Sequence, residues 1–338
     1  MVRIDPNWTY CGLPVVRLEN RWCAVDVLAR TGGKILRLID KTADRNVLWE
    51  NPRIAPHEAP IFASFDDHWA GGWDDAFPGG APSIDRYGEA TPYMGELWTA
   101  RWDWRVVDRD VPELELSVQT PITPARYTKT IRLRDDAPVL DISYRIEHVG
   151  TQPFDFMWGI HPALAISPNH RFDVPATRGL VDEWAGGGLG RQGDSYDWPN
   201  LPLGDGSTLD VRSVRSRDYG SLALHFLTGL KAGWVACTDT SDHRGFGLVF
   251  DPVAFPVVWL WMVYGAWRGY YHAALELWTS YPGRLADTVA AGRAPILRPG
   301  EVREARTSAV LYGGVDEVTD LRADGSVRGR LASGAQSS

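Results

Sequence analysis

The chain has 338 residues, a formal net charge of −8 and 44% hydrophobic residues, with 16 tryptophans among its aromatics. That apolar content builds a large core and leaves aromatic rings over for a binding cleft. The acidic balance, without any segment dense in Lys or Arg, excludes the phosphate neutralisation on which nucleic-acid binding depends.

The start, Met1-Val2-Arg3-Ile4-Asp5-Pro6, lacks the apolar run of a secretion signal, and the most apolar stretch, residues 257–267, is too short to span a bilayer. No membrane partner and a cytoplasmic location are therefore expected. Strands are predicted over 22–28 and 34–39, separated by the turn Thr31-Gly32-Gly33. From 98 to 106, Trp98, Ala100, Trp102, Trp104 and Val106 alternate with Thr99, Arg101, Asp103 and Arg105, which predicts a strand with one wet face. Further strands are predicted at 114–119 and 127–133. At 141–148, Ile142, Tyr144, Ile146 and His148 alternate with Asp141, Ser143, Arg145 and Glu147.

An alternating apolar stretch over 154–160 ends at His161, and Pro162 is expected to terminate strand pairing there. Residues 181–206 are rich in Gly, Asp and Trp and poor in alternation, which reads as a long loop, either over a site or as a plain excursion. Strands follow at 222–226, 245–250, 272–279 and 306–312, with 257–263 buried on both faces. So many short strands imply an all-β fold, a large antiparallel β-sandwich in a single domain over 1–322. Residues 323–338, rich in Gly, Ser and Ala, are expected to form a flexible tail.

Cys11, Cys23 and Cys237 lie in neither CxxC nor zinc-ligand spacing, so no disulfide framework or structural metal is expected, and a reducing compartment fits. GxGxxG after a strand, GxxxxGK[ST], GxSxG and HExxH are all missing, which removes dinucleotide, P-loop, serine-hydrolase and zincin chemistry. What remains is acid/base chemistry. Glu276 is a solitary carboxylate in Ala273-Ala274-Leu275-Glu276-Leu277-Trp278, and His161 a solitary imidazole in Trp158-Gly159-Ile160-His161-Pro162-Ala163-Leu164. Apolar surroundings strip hydration from such groups and move their pKa values, suiting them to proton transfer near neutral pH. The competing readings are a salt-bridged carboxylate, paired with Arg268 or Arg284, and a histidine bonded to backbone. In Gly71-Gly72-Trp73-Asp74-Asp75-Ala76-Phe77-Pro78, Asp74 and Trp73 offer an acceptor and a flat apolar platform, as a sugar requires, or else a turn cap and a core indole.

These segments, taken in order, resemble the aldose 1-epimerase family of the galactose mutarotase-like superfamily over nearly the whole chain. Gly72-Trp73-Asp74-Asp75-Ala76-Phe77-Pro78 with Gly95-Glu96-Leu97-Trp98 is similar to a "GWDE-FP … HGELW" pattern, and His161-Pro162-Ala163 to the family's His-Pro segment. Leu275-Glu276-Leu277-Trp278-Thr279-Ser280 is similar to its "LEPxTS" strand, and Leu297-Arg298-Pro299-Gly300-Glu301 to its closing turn.

The resemblance implies the supersandwich form of the β-sandwich and a cofactor-independent mutarotase, in which Glu276 takes the proton of the C1 hydroxyl and His161 gives one to the ring oxygen. It also implies substrate contacts from Arg53, Trp73, Asp74, Met94 and Trp278. Met94 stands where the family often has a second histidine, and it neither titrates nor donates a strong hydrogen bond. His68, Tyr93 or His272 are the candidates to replace that group. The expected partner is a small-molecule sugar, with no cofactor, and the expected state is a monomer or homodimer. Two alternatives stay open: a non-catalytic carbohydrate-binding or sensor protein, and a lyase or isomerase of a modified sugar on the same scaffold.

Overall fold

The structure is a computed structural model that describes residues 1–331. Its contacts divide the chain into two compact units, one built from Met1–Asp136, Leu140–Ala163 and Leu277–Arg306, the other from Ala137–Val139, Leu164–Glu276 and the chain from Thr307 onward.

In the first unit, one antiparallel sheet runs in the order Arg3–Tyr10, Leu13–Glu19, Cys23–Leu28, Lys34–Asp40, Trp73–Ala76 and Gly159–Leu164. A second runs Val139–His148, Ala125–Leu133, Glu113–Gln119 and Asp103–Val107. The period-two pattern explains both: Leu114, Leu116 and Val118 are buried while Glu113, Glu115 and Ser117 keep partial exposure. Each fully buried aliphatic side chain contributes roughly 1.5–3 kcal/mol. The two sheets are tied by Lys129, whose Nζ donates to the Gly33 carbonyl at 2.6 Å and to Asp75 Oδ2 at 2.7 Å. Tyr127, two residues before it and on the same face, accepts at its hydroxyl from Trp158 Nε1 at 2.9 Å.

In the second unit, Val257–Tyr264, Ser221–Thr228, Arg178–Gly186 and Ser195–Asp197 form consecutive sheet neighbours, and His170–Asp173, Trp234–Asp239, Arg244–Phe250 and Val302–Gly313 form another antiparallel set. The central strands are buried on both faces, as the unbroken apolar run at 257–263 requires. Val318 and Leu321 close one core against Val139, Trp234, Val310 and Tyr312.

The expected strands at 22–28, 34–39, 114–119, 127–133, 222–226, 245–250, 257–263, 272–279 and 306–312 are present to within a few residues. Four expectations are corrected. Residues 98–102 form a turn, because Trp98 Nε1 and Trp102 Nε1 bond back to the Tyr93 and Leu97 carbonyls, and the strand starts only at Asp103. His161 lies inside the strand Gly159–Leu164 and not at its end. Pro162 is tolerated there because Ala163 donates to the Gly72 carbonyl, which makes the adjacent Pro162–Trp73 pair a non-hydrogen-bonded one.

Residues 181–206 are not structureless: the strands Arg178–Gly186, Ser195–Asp197 and Asn200–Pro202 pass through them. His225 pins this segment, donating from Nε2 to the Leu189 carbonyl at 2.8 Å and accepting at Nδ1 from the Tyr196 hydroxyl at 2.8 Å. The presumed tail begins as a hairpin, Val327–Arg330 pairing with Glu317–Leu321, while residues 332–338 lie outside the described residues. Among the described residues no helix is long and apolar enough to cross a membrane.

Candidate active site

His161 sits opposite Asp74 in the antiparallel ladder between Gly159–Leu164 and Trp73–Ala76, so the two side chains share one face. The next pair along the ladder joins Ile160 to Asp75 and turns that carboxylate the other way, toward Lys129. Adjacent aspartates therefore serve opposite faces of one strand. Asp75 is a buried structural partner whose carboxyl is raised by burial, with the Lys129 ammonium opposing.

Asp74 is 1% exposed. Its Oδ2 accepts from Trp69 Nε1 at 3.0 Å and lies 3.1 Å from Lys34 Nζ, which also donates to the Gly71 carbonyl at 2.8 Å. Oδ1 is buried and has no hydrogen-bond partner among the described residues. Aromatic rings wall the cluster: Trp69 and Phe65 meet His161 at centroid distances of 5.4 and 6.2 Å, and Tyr93 and Trp98 pack on Phe65. His161 is 5% exposed. Burial drives its pKa down to about 4, the Asp74 charge pulling it up and the Lys34 ammonium pushing it further down. At neutral pH the imidazole is uncharged, fit to accept a proton or to donate a neutral N–H hydrogen bond.

Glu276 belongs to the second unit, on the strand Tyr271–Trp278, and is 3% exposed. Strand periodicity puts it on the same face as His272, which is fully buried and whose ring lies 6.2 Å from Trp267 and 6.5 Å from Tyr270.

The remaining expected site residues divide. Trp73 and Trp278 have no exposed surface, so as the chain stands neither indole offers a face to a sugar. Trp278 instead fills the space beside Gly159, where an added Cβ would stand 2.4 Å from its ring. Arg53 is exposed in a loop, its backbone N–H bonded to Asn51 Oδ1. Met94 is buried in the left-handed region at φ 58°, with its N–H on the Gly80 carbonyl. Gly95 follows at φ 71°, and its missing side chain makes room for the Phe77 carbonyl, 2.1 Å from where a Cβ would stand. Glu96, from the same Gly-Glu-Leu-Trp block, is fully buried and accepts from the Ile122 and Thr123 backbone N–H groups, so it anchors a loop. Of the candidate replacements for a histidine at 94, His68 is bonded to His57 (Nδ1 to Nε2, 2.7 Å), and Tyr93 reaches the cluster through Phe65.

Lys34, Phe65 and Trp69 were missed at the level of sequence. The available signal was a lone lysine opening the apolar run Lys34-Ile35-Leu36 just after Gly32-Gly33. A cation at the start of a buried strand needs an acid nearby, and Asp74-Asp75 supplied two.

No protein-family model matches the chain, and no curated protein matches it. Solved structures do. The Slr1438 protein from Synechocystis sp. PCC 6803 is 16% identical, with 92% of this chain and 99% of that one covered at a TM-score of 0.67. A galactose mutarotase-like protein from Clostridium acetobutylicum is 12% identical over 93% and 99% of the two chains, TM-score 0.66, and another from Lactobacillus casei is 15% identical over 88% and 100%, TM-score 0.62. At these identities the likeness is one of fold, and the chain has the all-β galactose mutarotase-like fold.

Proposed function

We propose that this protein binds a reducing sugar and interconverts its anomers without a cofactor. In this scheme Glu276 takes the proton of the C1 hydroxyl, and the C1–ring-oxygen bond breaks as the C1 carbonyl forms. His161 gives a proton to the ring oxygen, and reclosure on the other face of the carbonyl restores both groups. The observation that carries the reading is the buried His161–Asp74–Lys34 cluster walled by aromatic rings, on a chain of mutarotase-like fold.

Asp74 Oδ1 is suited to accept from a sugar hydroxyl, and the Trp69 and Phe65 rings to pack against C–H groups. Because burial holds His161 neutral, its proton-giving step requires that it first take a proton from solvent, a gain that the Asp74 charge favours; ring closure then returns that proton to the imidazole. Entry of a sugar also requires the aromatic cover to part, since these groups are almost wholly buried.

The second reading, binding without turnover, is favoured by one feature: Met94 in place of a titratable group. Anomer exchange measured by NMR across a panel of reducing sugars separates the two, because a binder broadens sugar signals without exchanging them.

A further inference from the structure

We propose that Lys34 is a positioning residue of this site: it holds the Asp74 carboxylate through Oδ2, leaves Oδ1 open to a further donor, and opposes the pull of that carboxylate on a proton at His161. The inference rests on the reading of His161 as a site residue.

The geometry leaves Lys34 little freedom. The residue is 8% exposed, and its ammonium is held by two acceptors, the Gly71 carbonyl at 2.8 Å and Asp74 Oδ2 at 3.1 Å. Trp69 Nε1 occupies the same oxygen at 3.0 Å, so Oδ2 already accepts two donors while Oδ1 has none among the described residues. Two donors converging on one oxygen restrain the carboxylate, and the ladder pairing sets Asp74 opposite His161. A buried carboxylate beside a histidine, with no cation near it, draws a proton onto the ring. The lysine opposes that pull.

The charged groups acting on His161 are these two, Asp74 favouring its protonation and Lys34 opposing it, with Phe65 and Trp69 supplying apolar walls. Lys34 shares its acceptor with Trp69, the indole that also walls His161. Lys129 shows another arrangement: it is more deeply buried and binds Asp75 on the opposite face.

The test is an NMR pH titration of the full chain carrying ring-labelled histidine and no sugar, with the His161 signal assigned by its loss in His161→Gln. In Lys34→Met the His161 midpoint should rise by about 1 pH unit or more, the size of effect that an unopposed neighbouring carboxylate has. In Asp74→Asn it should fall, since the lysine then acts on the ring without its counter-charge. A thermal melt on each variant reports folding. An unchanged midpoint in folded Lys34→Met, or an unchanged or raised one in Asp74→Asn, overturns the inference, and the second arm decides if Lys34→Met does not fold. A purely structural lysine would shift melting temperatures and leave both midpoints where they were. Because no sugar is present, failure of the mutarotase reading shows in the exchange assay and not here.

Discussion

Trp69 donates its indole N–H to Asp74 Oδ2 at 3.0 Å while its ring packs against His161 at 5.4 Å, so one side chain both orients the carboxylate and walls the imidazole. Trp69→Phe separates these roles by keeping an aromatic ring and removing the donor. The buried carboxylate then loses one of two partners on that oxygen, and the variant should be less stable by about 2 kcal/mol in urea unfolding. A loss below about 0.5 kcal/mol would mean that the hydrogen bond contributes nothing beyond what water supplies.

Lys129 and Asp75 form an ion pair at 2.7 Å with 1% of each residue exposed. Removing one partner leaves an uncompensated charge in the core, so Lys129→Met should cost about 3–5 kcal/mol, and Lys129→Met with Asp75→Asn should recover much of it. Chemical denaturation of the three proteins checks this. Equal losses in the single and double variants would contradict the pairing.

Stability should fall on mild acidification. His161 and His225 are both driven by burial down to about 4, below the ordinary histidine value of 6.5. Between those values the unfolded chain binds a proton that the folded chain does not, so acid favours unfolding across that window. The loss should be about 1.5 kcal/mol per histidine between pH 6.5 and pH 5. Urea midpoints measured at the two pH values test it, and in His225→Gln the slope should shrink by one group. A midpoint that is flat from pH 6.5 to 5 would contradict it.

One cysteine should react and two should not. Cys11 is exposed in a turn, whereas Cys23 and Cys237 are buried, and burial, helped by Asp40, pushes the Cys23 thiol up to about 12. A thiol reagent at pH 8 should modify Cys11 quickly and the others only on unfolding, read by mass spectrometry of digested peptides. Rapid labelling of Cys23 in the native protein would contradict the placement.

Much of the fold was legible in the sequence because sheets write their period into it: Leu114, Leu116 and Val118 against Glu113, Glu115 and Ser117 leave one assignment. The failures have physical reasons. Trp98 and Trp102 continue the alternation of the strand but spend their indole donors on a turn, which periodicity does not see. Pro162 reads as a stop, yet its missing N–H falls at a pair that needs none from the Trp73 strand.

At the site, the pairing of His161 with Asp74 depended on register between segments almost ninety positions apart, which local pattern does not encode. For Lys34 the sequence offered a lone cation at the start of a buried strand, but not which of the two aspartates it meets. For Trp73 the sequence left a sugar platform and a core indole both open, and the structure makes it core; Trp278 is likewise covered, since composition does not say which indoles are.

The most direct test of the mutarotase reading is two-dimensional exchange NMR on the anomeric signals of reducing sugars, with wild type beside Glu276→Gln and His161→Asn, at a pH where spontaneous mutarotation is slow. Enzyme-dependent exchange on at least one sugar, reduced by 100-fold or more in folded Glu276→Gln and His161→Asn, is the predicted result, in line with the roughly 10²–10⁴-fold worth of a positioned acid or base. Exchange at the wild-type rate in Glu276→Gln, or none by the wild type on any sugar it binds, would contradict it.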